Sequence, residues 1–151
     1  MTRAEQAREY FKQGYACSQA VALVFADVMP MDEATIKKIM LPFGGGLGRL
    51  RLTCGAVSGM AAVYGMLCAS EENTPENKKQ TYAGAQTLCE AFKQEFGSLL
   101  CGDLLSGMNL KVEVGGTAEE RTPQYYQKRS CAEIVFFAAQ ILDDYLKAIG
   151  E

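Results

Sequence analysis

Apolar residues recur every three or four positions along most of this chain, the spacing that places them on one face of an α-helix. One such series is Val21, Val24 and Val28, and a longer one covers residues 134–149. The chain shows no sheet pattern, and 151 residues are enough for one domain with a core but too few for two. The pattern therefore predicts an all-α fold, a single domain over residues 1–151 built as a bundle of about five to seven helices.

Capping residues and helix breakers indicate where these helices begin and end. Thr2 and Glu5 have the spacing of a capping box, and Thr74 followed by Pro75 is a typical helix start. Gly97 ends the helix that begins there. Seven helices are predicted: residues 2–13, Cys17–Val28, a short one between Asp32 and Pro42, residues 54–69, residues 74–96, a short one that begins near Cys101, and Ser130–Ile149.

The helix over Cys54–Ala69 is predicted to form the centre of the bundle. It lies in the longest uncharged stretch, Leu52–Ser70, which has about the length of a membrane span. Its glycines and alanines make it only weakly hydrophobic, so we favour a helix buried in the bundle over membrane insertion. Gly55 and Gly59 lie one turn apart and would allow a neighbouring helix to approach closely.

Two segments interrupt the helical pattern. Phe43–Arg49 contains four glycines, and it needs unusual backbone angles or the close approach of another group. It follows no strand and lacks the Lys-Ser/Thr pair of a P-loop, so we interpret it as a tight turn that shapes access to Cys54. Residues 107–122 are polar and glycine-rich, and we expect a mobile loop there in which Lys111–Val114 could form a brief strand.

Composition narrows the classes of function. Apolar residues make up 48% of the chain and charged residues 22%, as in a folded globular protein. The net charge of -3 gives no electrostatic reason to expect nucleic acid or an anionic membrane as partner. Residues 1–6 are charged and lack an apolar signal core, so the cytoplasm is the expected compartment. The chain has no histidine, which excludes hydrolase triads of the usual kind.

Six cysteines carry the candidate chemistry, and four of them are predicted to lie where a helix begins. These four are Cys17, Cys54, Cys101 and Cys131. The partial positive charge of a helix N-terminus stabilises the thiolate, the form that attacks disulfides and binds metals. Since disulfides in the cytoplasm are usually transient, we expect cysteines that work reduced or cycling. Cys68 and Cys89 lie on apolar helix faces and are expected to fill the core.

The segments around these cysteines share motifs with a known family. They are Gly14–Val21 (GYACSQAV), Phe43–Gly46 (FGGG) and Cys54–Gly59 (CGAVSG). Together they resemble the C_GCAxxG_C_C family, small proteins described as redox-active that share four cysteines and a CGAxxG motif. Cys101 and Cys131 fall at the remaining family positions, and Ala16 stands where the family often has asparagine. The resemblance covers nearly the whole chain and implies a redox role for the four cysteines, without naming a substrate.

Three functions are compatible with this pattern. In the first, the cysteines exchange thiols and disulfides or transfer electrons, as in a thiol-dependent oxidoreductase; the lack of a Cys-x-x-Cys pair disfavours a thioredoxin-like mechanism. In the second, the four thiolates bind zinc or an iron–sulfur cluster, although the nearest two, Cys101 and Cys131, are 30 residues apart. In the third, the chain is a helical interaction module without a redox role, whose aromatic side chains could pack between the subunits of a homodimer.

Within the site, we expect the four helix N-termini to converge on one pocket. Cys54 is expected to be the most reactive thiol, because the glycine-rich segment gives access to it and Arg49 and Arg51, unless they point to solvent, add positive potential. Cys17 is expected to come second. The glycines expected to contact a cofactor are Gly44, Gly45, Gly46, Gly55 and Gly59. The redox partner and the identity of any cofactor do not follow from the sequence.

Overall fold

The computed structural model describes residues 1–150 and is an all-α single domain, as the hydrophobic pattern predicts. Eight helices form in these residues: α1 (Arg3–Lys12), α2 (Cys17–Leu23), α3 (Glu33–Met40), α4 (Gly55–Cys68), α5 (Pro75–Phe96), α6 (Cys101–Gly107), α7 (Pro123–Lys128) and α8 (Cys131–Ala148). The number includes the six-residue α7, where the sequence indicates only a short turn. No β-strand forms in the described residues, in which one isolated antiparallel bridge joins Thr53 and Leu100.

The helices begin and end close to the capping residues. The Thr2 side chain accepts a hydrogen bond from the Glu5 N–H, and the Glu5 carboxylate accepts one from the Thr2 N–H, so the predicted capping box starts α1. Thr74 caps α5, and Gly97 ends it in the left-handed region with φ of 86°. Helix α2 is shorter than expected: it ends at Leu23, and a 3-10 turn follows it.

Helix α4 is buried at the centre of the bundle, as the sequence predicts. It packs against α2, α5 and α8, and its residues Ala56, Met60 and Val63 are almost fully buried. Helix α1 packs along α8 on one side of this core. Cys68 and Cys89 pack against the same core but are only partly buried, so they lie at its edge rather than filling it as expected. None of the helices in residues 1–150 has the length and apolarity needed to cross a membrane.

Two glycines let α4 pack directly on the backbone of α2. A Cβ atom on Gly55 would lie 2.9 Å from the Phe43 carbonyl oxygen and 3.2 Å from the Ser18 nitrogen. A Cβ atom on Gly59 would lie 2.7 Å from the Ser18 carbonyl oxygen. Since a real Cβ does not approach a backbone atom that closely, these glycines set the distance between the two helices. They thereby bring the start of α4 to Cys17, whose Cβ would lie 3.4 Å from one on Gly55.

Gly59→Ala is expected to lower the free energy of unfolding by about 1–3 kcal/mol, because the new methyl group overpacks the contact between α2 and α4. Gly65→Ala is the matched control in the same helix, since a Cβ there meets no atom within 4 Å. In that variant alanine removes a flexible residue from the helix interior and should raise stability by roughly 0.5–1 kcal/mol. Urea unfolding of both variants measures the difference, and equal effects would show that the helix contact does not depend on Gly59.

The glycine-rich segment between α3 and α4 forms a left-handed turn. Positive φ angles occur at Gly45 (66°), Gly46 (72°), Leu47 (70°), Gly48 (57°), Arg49 (66°) and Arg51 (61°). The left-handed conformation costs a residue with a Cβ roughly 1–2 kcal/mol, so the surrounding structure has to hold the three non-glycine residues in place. Backbone hydrogen bonds from Arg51 to Gly45 and from Leu52 to Gly46 close the turn. The unusual backbone angles expected here are therefore present.

Residues 109–122 have no regular secondary structure, and Lys111–Val114 does not form a strand. Two arginines of the left-handed turn bind this segment. Arg49 exchanges two hydrogen bonds of 2.9 Å with the backbone of Gly115, and Arg51 Nε donates to the Glu113 carbonyl oxygen at 2.8 Å. The alternative that these arginines point to solvent is wrong, because their side chains attach the loop to the turn.

Candidate functional site

The N-terminal ends of four helices meet at one pocket of about 330 Å³. Cys17, Cys101 and Cys131 are the first residues of α2, α6 and α8, and Cys54 directly precedes α4. All four cysteines line the pocket. The left-handed turn forms one wall through Gly44, Gly45 and Gly46, and Gly55 also lines the pocket.

Backbone pairing holds Cys54 and Cys101 on adjacent segments. The Cys54 N–H donates to the Leu99 carbonyl oxygen at 2.8 Å, and the Cys101 N–H donates to the Leu52 carbonyl oxygen at 2.7 Å. Gly46 lies against this pair, since a Cβ on it would be 2.6 Å from the Cβ of Cys101. The start of α6 thus packs on the left-handed turn as closely as backbone atoms allow.

Two buried polar side chains hold the first turn of α2, which carries Cys17. The Ser18 hydroxyl donates to the Met40 carbonyl oxygen at 2.7 Å. Gln19 accepts a hydrogen bond from the Ala16 N–H at 2.9 Å, and its amide group donates to a carbonyl oxygen of α3 at 2.8 Å. Because both side chains are themselves buried, losing either hydrogen bond would leave an unsatisfied polar group, and these bonds hold α2 in position.

Cys17 and Cys131 form a pair of interacting thiols. The hydrogen bond between them raises the pKa of Cys17 well above its usual value, and burial raises it further. The same hydrogen bond lowers the pKa of Cys131, and Arg129 and Arg121 lower it further against the opposing effect of burial. Cys131 also begins an 18-residue helix, whose N-terminal N–H groups favour a negative charge. Cys131 is therefore the member of the pair that ionises first.

The pKa of Cys54 is shifted in the opposite direction to that of Cys131. It is only 6% exposed, and burial raises its pKa to about 12, although N–H groups of Ala56 and Val57 act in the opposite direction. The acidity of Cys54 therefore does not support the expectation that it is the most reactive thiol. Cys17, expected to be second, is also shifted away from the thiolate. The physical reason is burial, because desolvation of the thiolate outweighs the helix N-terminus at this position.

Basic and aromatic side chains complete the pocket. Arg51 Nη1 lies 3.6 Å from the Sγ of Cys101. Arg121 donates to the carbonyl oxygens of Phe11 and Tyr15 at 3.1 and 3.2 Å, and its guanidinium lies over the Tyr125 ring. Burial raises the pKa of Tyr125 to about 12, so this phenol stays protonated at neutral pH.

Sequence patterns did not single out Arg121, Tyr125 or Arg129, all of which line the pocket. Arg121 and Tyr125 come from the polar segment and short turn between α6 and α8, and no periodicity marks them. Arg129 had a local signal, since it stands two residues before Cys131. A basic residue next to a cysteine at a helix start indicates a stabilised thiolate.

Four of the five glycines that were expected to contact a cofactor lie in the pocket lining. Gly44, Gly45, Gly46 and Gly55 line the pocket, whereas Gly59 is absent from its lining and lies at the contact between α2 and α4. In residues 1–150, no three Cys, Asp or Glu side chains are grouped so as to hold a metal ion. The four thiols line one pocket without being grouped as a metal-binding set, so no step below is assigned to a metal.

Comparison with known proteins places the chain in a family. Residues 15–145 match the model of the C_GCAxxG_C_C family, whose description is "Putative redox-active protein". Searches of curated proteins and of solved structures found no match. The matched region contains all four cysteines that line the pocket and covers most of the chain. This protein therefore belongs to the C_GCAxxG_C_C family.

Proposed function

We propose that this protein exchanges thiols and disulfides through Cys17 and Cys131, with Cys131 as the attacking thiolate. The observation that supports this most strongly is that both cysteines begin helices and line one pocket, where Arg129 and Arg121 favour a thiolate at Cys131 and burial disfavours one at Cys17. A pair with this asymmetry has one member ready to attack and one that holds its proton until the second step. The family description, a redox-active protein, agrees with such a role.

The proposed reaction has two steps. The Cys131 thiolate attacks one sulfur of a substrate disulfide R–S–S–R′, the substrate S–S bond breaks, and R′S⁻ leaves and takes up a proton. Cys17 then loses its proton and attacks the Cys131 sulfur of the mixed disulfide, which releases RS⁻ as the second thiol. The dithiol of the protein has lost two electrons and the substrate has gained two. A thiol reductant restores the protein dithiol by the reverse exchange.

The surrounding side chains assist both steps. Arg129 and Arg121 stabilise the attacking thiolate by their charge. The protonated Tyr125 hydroxyl is available to donate a hydrogen bond to a leaving sulfur in the pocket. We propose the cytoplasm as the compartment, because there a protein disulfide is usually transient and the dithiol is regenerated.

A redox titration tests the proposal. The protein is equilibrated in mixtures of reduced and oxidised dithiothreitol, free thiols are alkylated, and intact mass counts the alkyl groups. We expect one two-electron transition in which two thiols disappear, and we expect neither Cys17→Ser nor Cys131→Ser to show it within the time that the wild type needs to equilibrate. Cys89→Ser, on α5 outside the pocket, is the control and should retain it. A transition that survives both pocket substitutions, or no transition in the wild type, would overturn the proposal.

The Cys17 thiol should also control the pH dependence of Cys131. In the wild type, iodoacetamide alkylation of Cys131 should level off at a lower pH than that of an ordinary thiol, because thiolate predominates above a lowered pKa. Cys17→Ala removes the main cause of that lowering, so the profile should move to higher pH. Cys17→Ser keeps a hydroxyl donor and should move it less. Peptide-resolved mass spectrometry measures the rate at Cys131 alone, and an unchanged profile in Cys17→Ala would contradict the pairing.

A further inference from the structure

The cysteine pocket is strongly basic although the whole chain is acidic. The chain carries a net charge of -3. Four arginines line the pocket, whereas Glu119 is the one carboxylate among its described lining residues; the arginines are Arg49, Arg51, Arg121 and Arg129. A cleft lined by one sign of charge concentrates ions of the opposite sign and raises their rate of association.

Two of these arginines have no carboxylate partner. Arg49 pairs with Glu113 at 3.8 Å and Arg129 with Glu119 at 2.5 Å, so a carboxylate offsets part of the charge at each of those positions. Arg51 and Arg121 take part in no ion pair within residues 1–150: their guanidinium groups contact carbonyl oxygens and, for Arg51, the sulfur of Cys101. Both are partly buried, so water compensates their charge less than on an open surface.

The positive lining extends outward from the cysteines. A second cavity of about 400 Å³ shares Arg49, Arg51 and Arg129 with the cysteine pocket, and it adds Lys111 and Lys128. Glu113, Glu119 and Glu120 also line this second cavity, so its outer part is mixed in charge. The excess of unpaired positive charge is greatest near the thiols themselves. A ligand with negative groups close to its reactive atom would therefore be attracted most strongly to this pocket.

We infer that the pocket selects low-molecular-weight disulfides whose substituents carry carboxylates. The inference rests on the proposed thiol–disulfide exchange and names its class of substrate. A pocket of about 330 Å³ has the size of a small-molecule site. Carboxylates flanking the S–S bond would pair with Arg51 and Arg121 while Cys131 attacks one sulfur. The products are the Cys17–Cys131 disulfide and two carboxylate-bearing thiols, so two electrons pass from the protein to the substrate.

Three disulfides of similar length but different charge test this inference. They are 3,3′-dithiodipropionate, bis(2-hydroxyethyl) disulfide and cystamine, which are anionic, neutral and cationic. For each disulfide, we divide the rate constant for its oxidation of the reduced protein by the rate constant for its reaction with 2-mercaptoethanol. This ratio removes differences in intrinsic reactivity among the three disulfides. At low ionic strength we expect the normalised rate for the anion to exceed that for the neutral compound by about tenfold or more, and the cation to be slowest. In about 1 M NaCl the preference should shrink, because the Debye length falls to about 3 Å.

Arg51→Gln should reduce the preference for the anion several-fold. Lys147→Gln is the matched control, since it removes one positive charge from an exposed side chain about 24 Å from Cys131 along α8. It should leave the preference unchanged. Equal normalised rates for the three disulfides would overturn the inference and leave thiol–disulfide exchange standing. Failure of all three to oxidise Cys17 and Cys131 would overturn both. The wild-type comparison decides between these outcomes even if Arg51→Gln fails to fold.

Discussion

Cys131→Ser should slow the two-electron oxidation of the protein by a disulfide about a hundredfold or more at neutral pH. The variant removes the cysteine that ionises first and leaves Cys54, whose pKa is raised by burial, and Cys17, whose pKa burial still raises once the thiol of Cys131 is gone. Stopped-flow kinetics with alkylation and intact-mass readout measure the rate at which two thiols disappear together. Oxidation of a single thiol to a mixed disulfide is counted separately.

The size of this effect follows from thiolate populations. With a pKa of about 12, Cys54 is thiolate in only about 1 molecule in 10⁵ at pH 7. A thiol with an ordinary pKa near 8.5 is about 3% thiolate, and Cys131 exceeds that because its pKa is lowered. The more basic thiolate is intrinsically more nucleophilic by about 40-fold for such a difference in pKa, which offsets part of the gap. A net loss of about a hundredfold remains.

The control for this experiment is Cys89→Ser, which removes a cysteine outside the pocket and should leave the rate within a factor of about 2–3 of the wild type. If Cys131→Ser keeps the wild-type rate, another pair of thiols carries the exchange. Cys54 and Cys101, on the adjacent paired segments, would then be the pair to examine.

Gly46→Ala should lower the free energy of unfolding by about 2–5 kcal/mol, which is a large part of the stability of a small domain. Gly46 has φ of 72°, a conformation that costs alanine roughly 1–2 kcal/mol. A Cβ on it would also lie 2.6 Å from the Cβ of Cys101 and 2.7 Å from the Leu52 nitrogen, so overpacking adds about 1–3 kcal/mol. Urea unfolding followed by circular dichroism measures the loss.

Gly48→Ala separates the two contributions to that loss. Gly48 belongs to the same turn and has φ of 57°, but a Cβ on it would meet no atom within 4 Å. It should therefore cost only about 1–2 kcal/mol, the penalty for the backbone conformation. If the two variants were equally destabilised, the close packing of Gly46 against the start of α6 would not contribute to stability.

Much of the fold follows from local sequence signals. The capping box at Thr2 and Glu5, the cap at Thr74 and the C-terminal Gly97 each set a helix boundary near its predicted place. These signals act within one turn of the chain, so tertiary structure need not be known to interpret them. Helix α2 departs from the prediction because the apolar series Val21, Val24 and Val28 continues past its end into a 3-10 turn.

The positions of the cysteines at helix starts follow from the sequence, but their relative acidity does not. A helix N-terminus lowers the pKa of a thiol and burial raises it, and only the first of these effects is visible in a local motif. Cys54 is buried as part of the hydrophobic core, so at this position the effect of burial on the pKa is larger than that of the helix N-terminus. Of the groups that lower the pKa of Cys131, Arg129 stands two residues away, but Cys17 and Arg51 come from distant parts of the chain.

The role of the glycines was also only partly predictable. Their clustering indicates unusual backbone angles, yet nothing local indicates that Leu47, Arg49 and Arg51 share the left-handed conformation. Nor does the CGAxxG spacing reveal whether a glycine faces a ligand or another helix. Gly55 does both, since it lines the pocket and packs on α2, whereas Gly59 faces only α2.

Peptide mapping of the oxidised protein tests the central claim most directly. The protein is oxidised to the two-electron state, remaining thiols are blocked at low pH to stop exchange, and the disulfide-linked peptides are identified by mass spectrometry. A single disulfide between Cys17 and Cys131 is the predicted result. A disulfide between Cys54 and Cys101, or links distributed among all four cysteines, would contradict it.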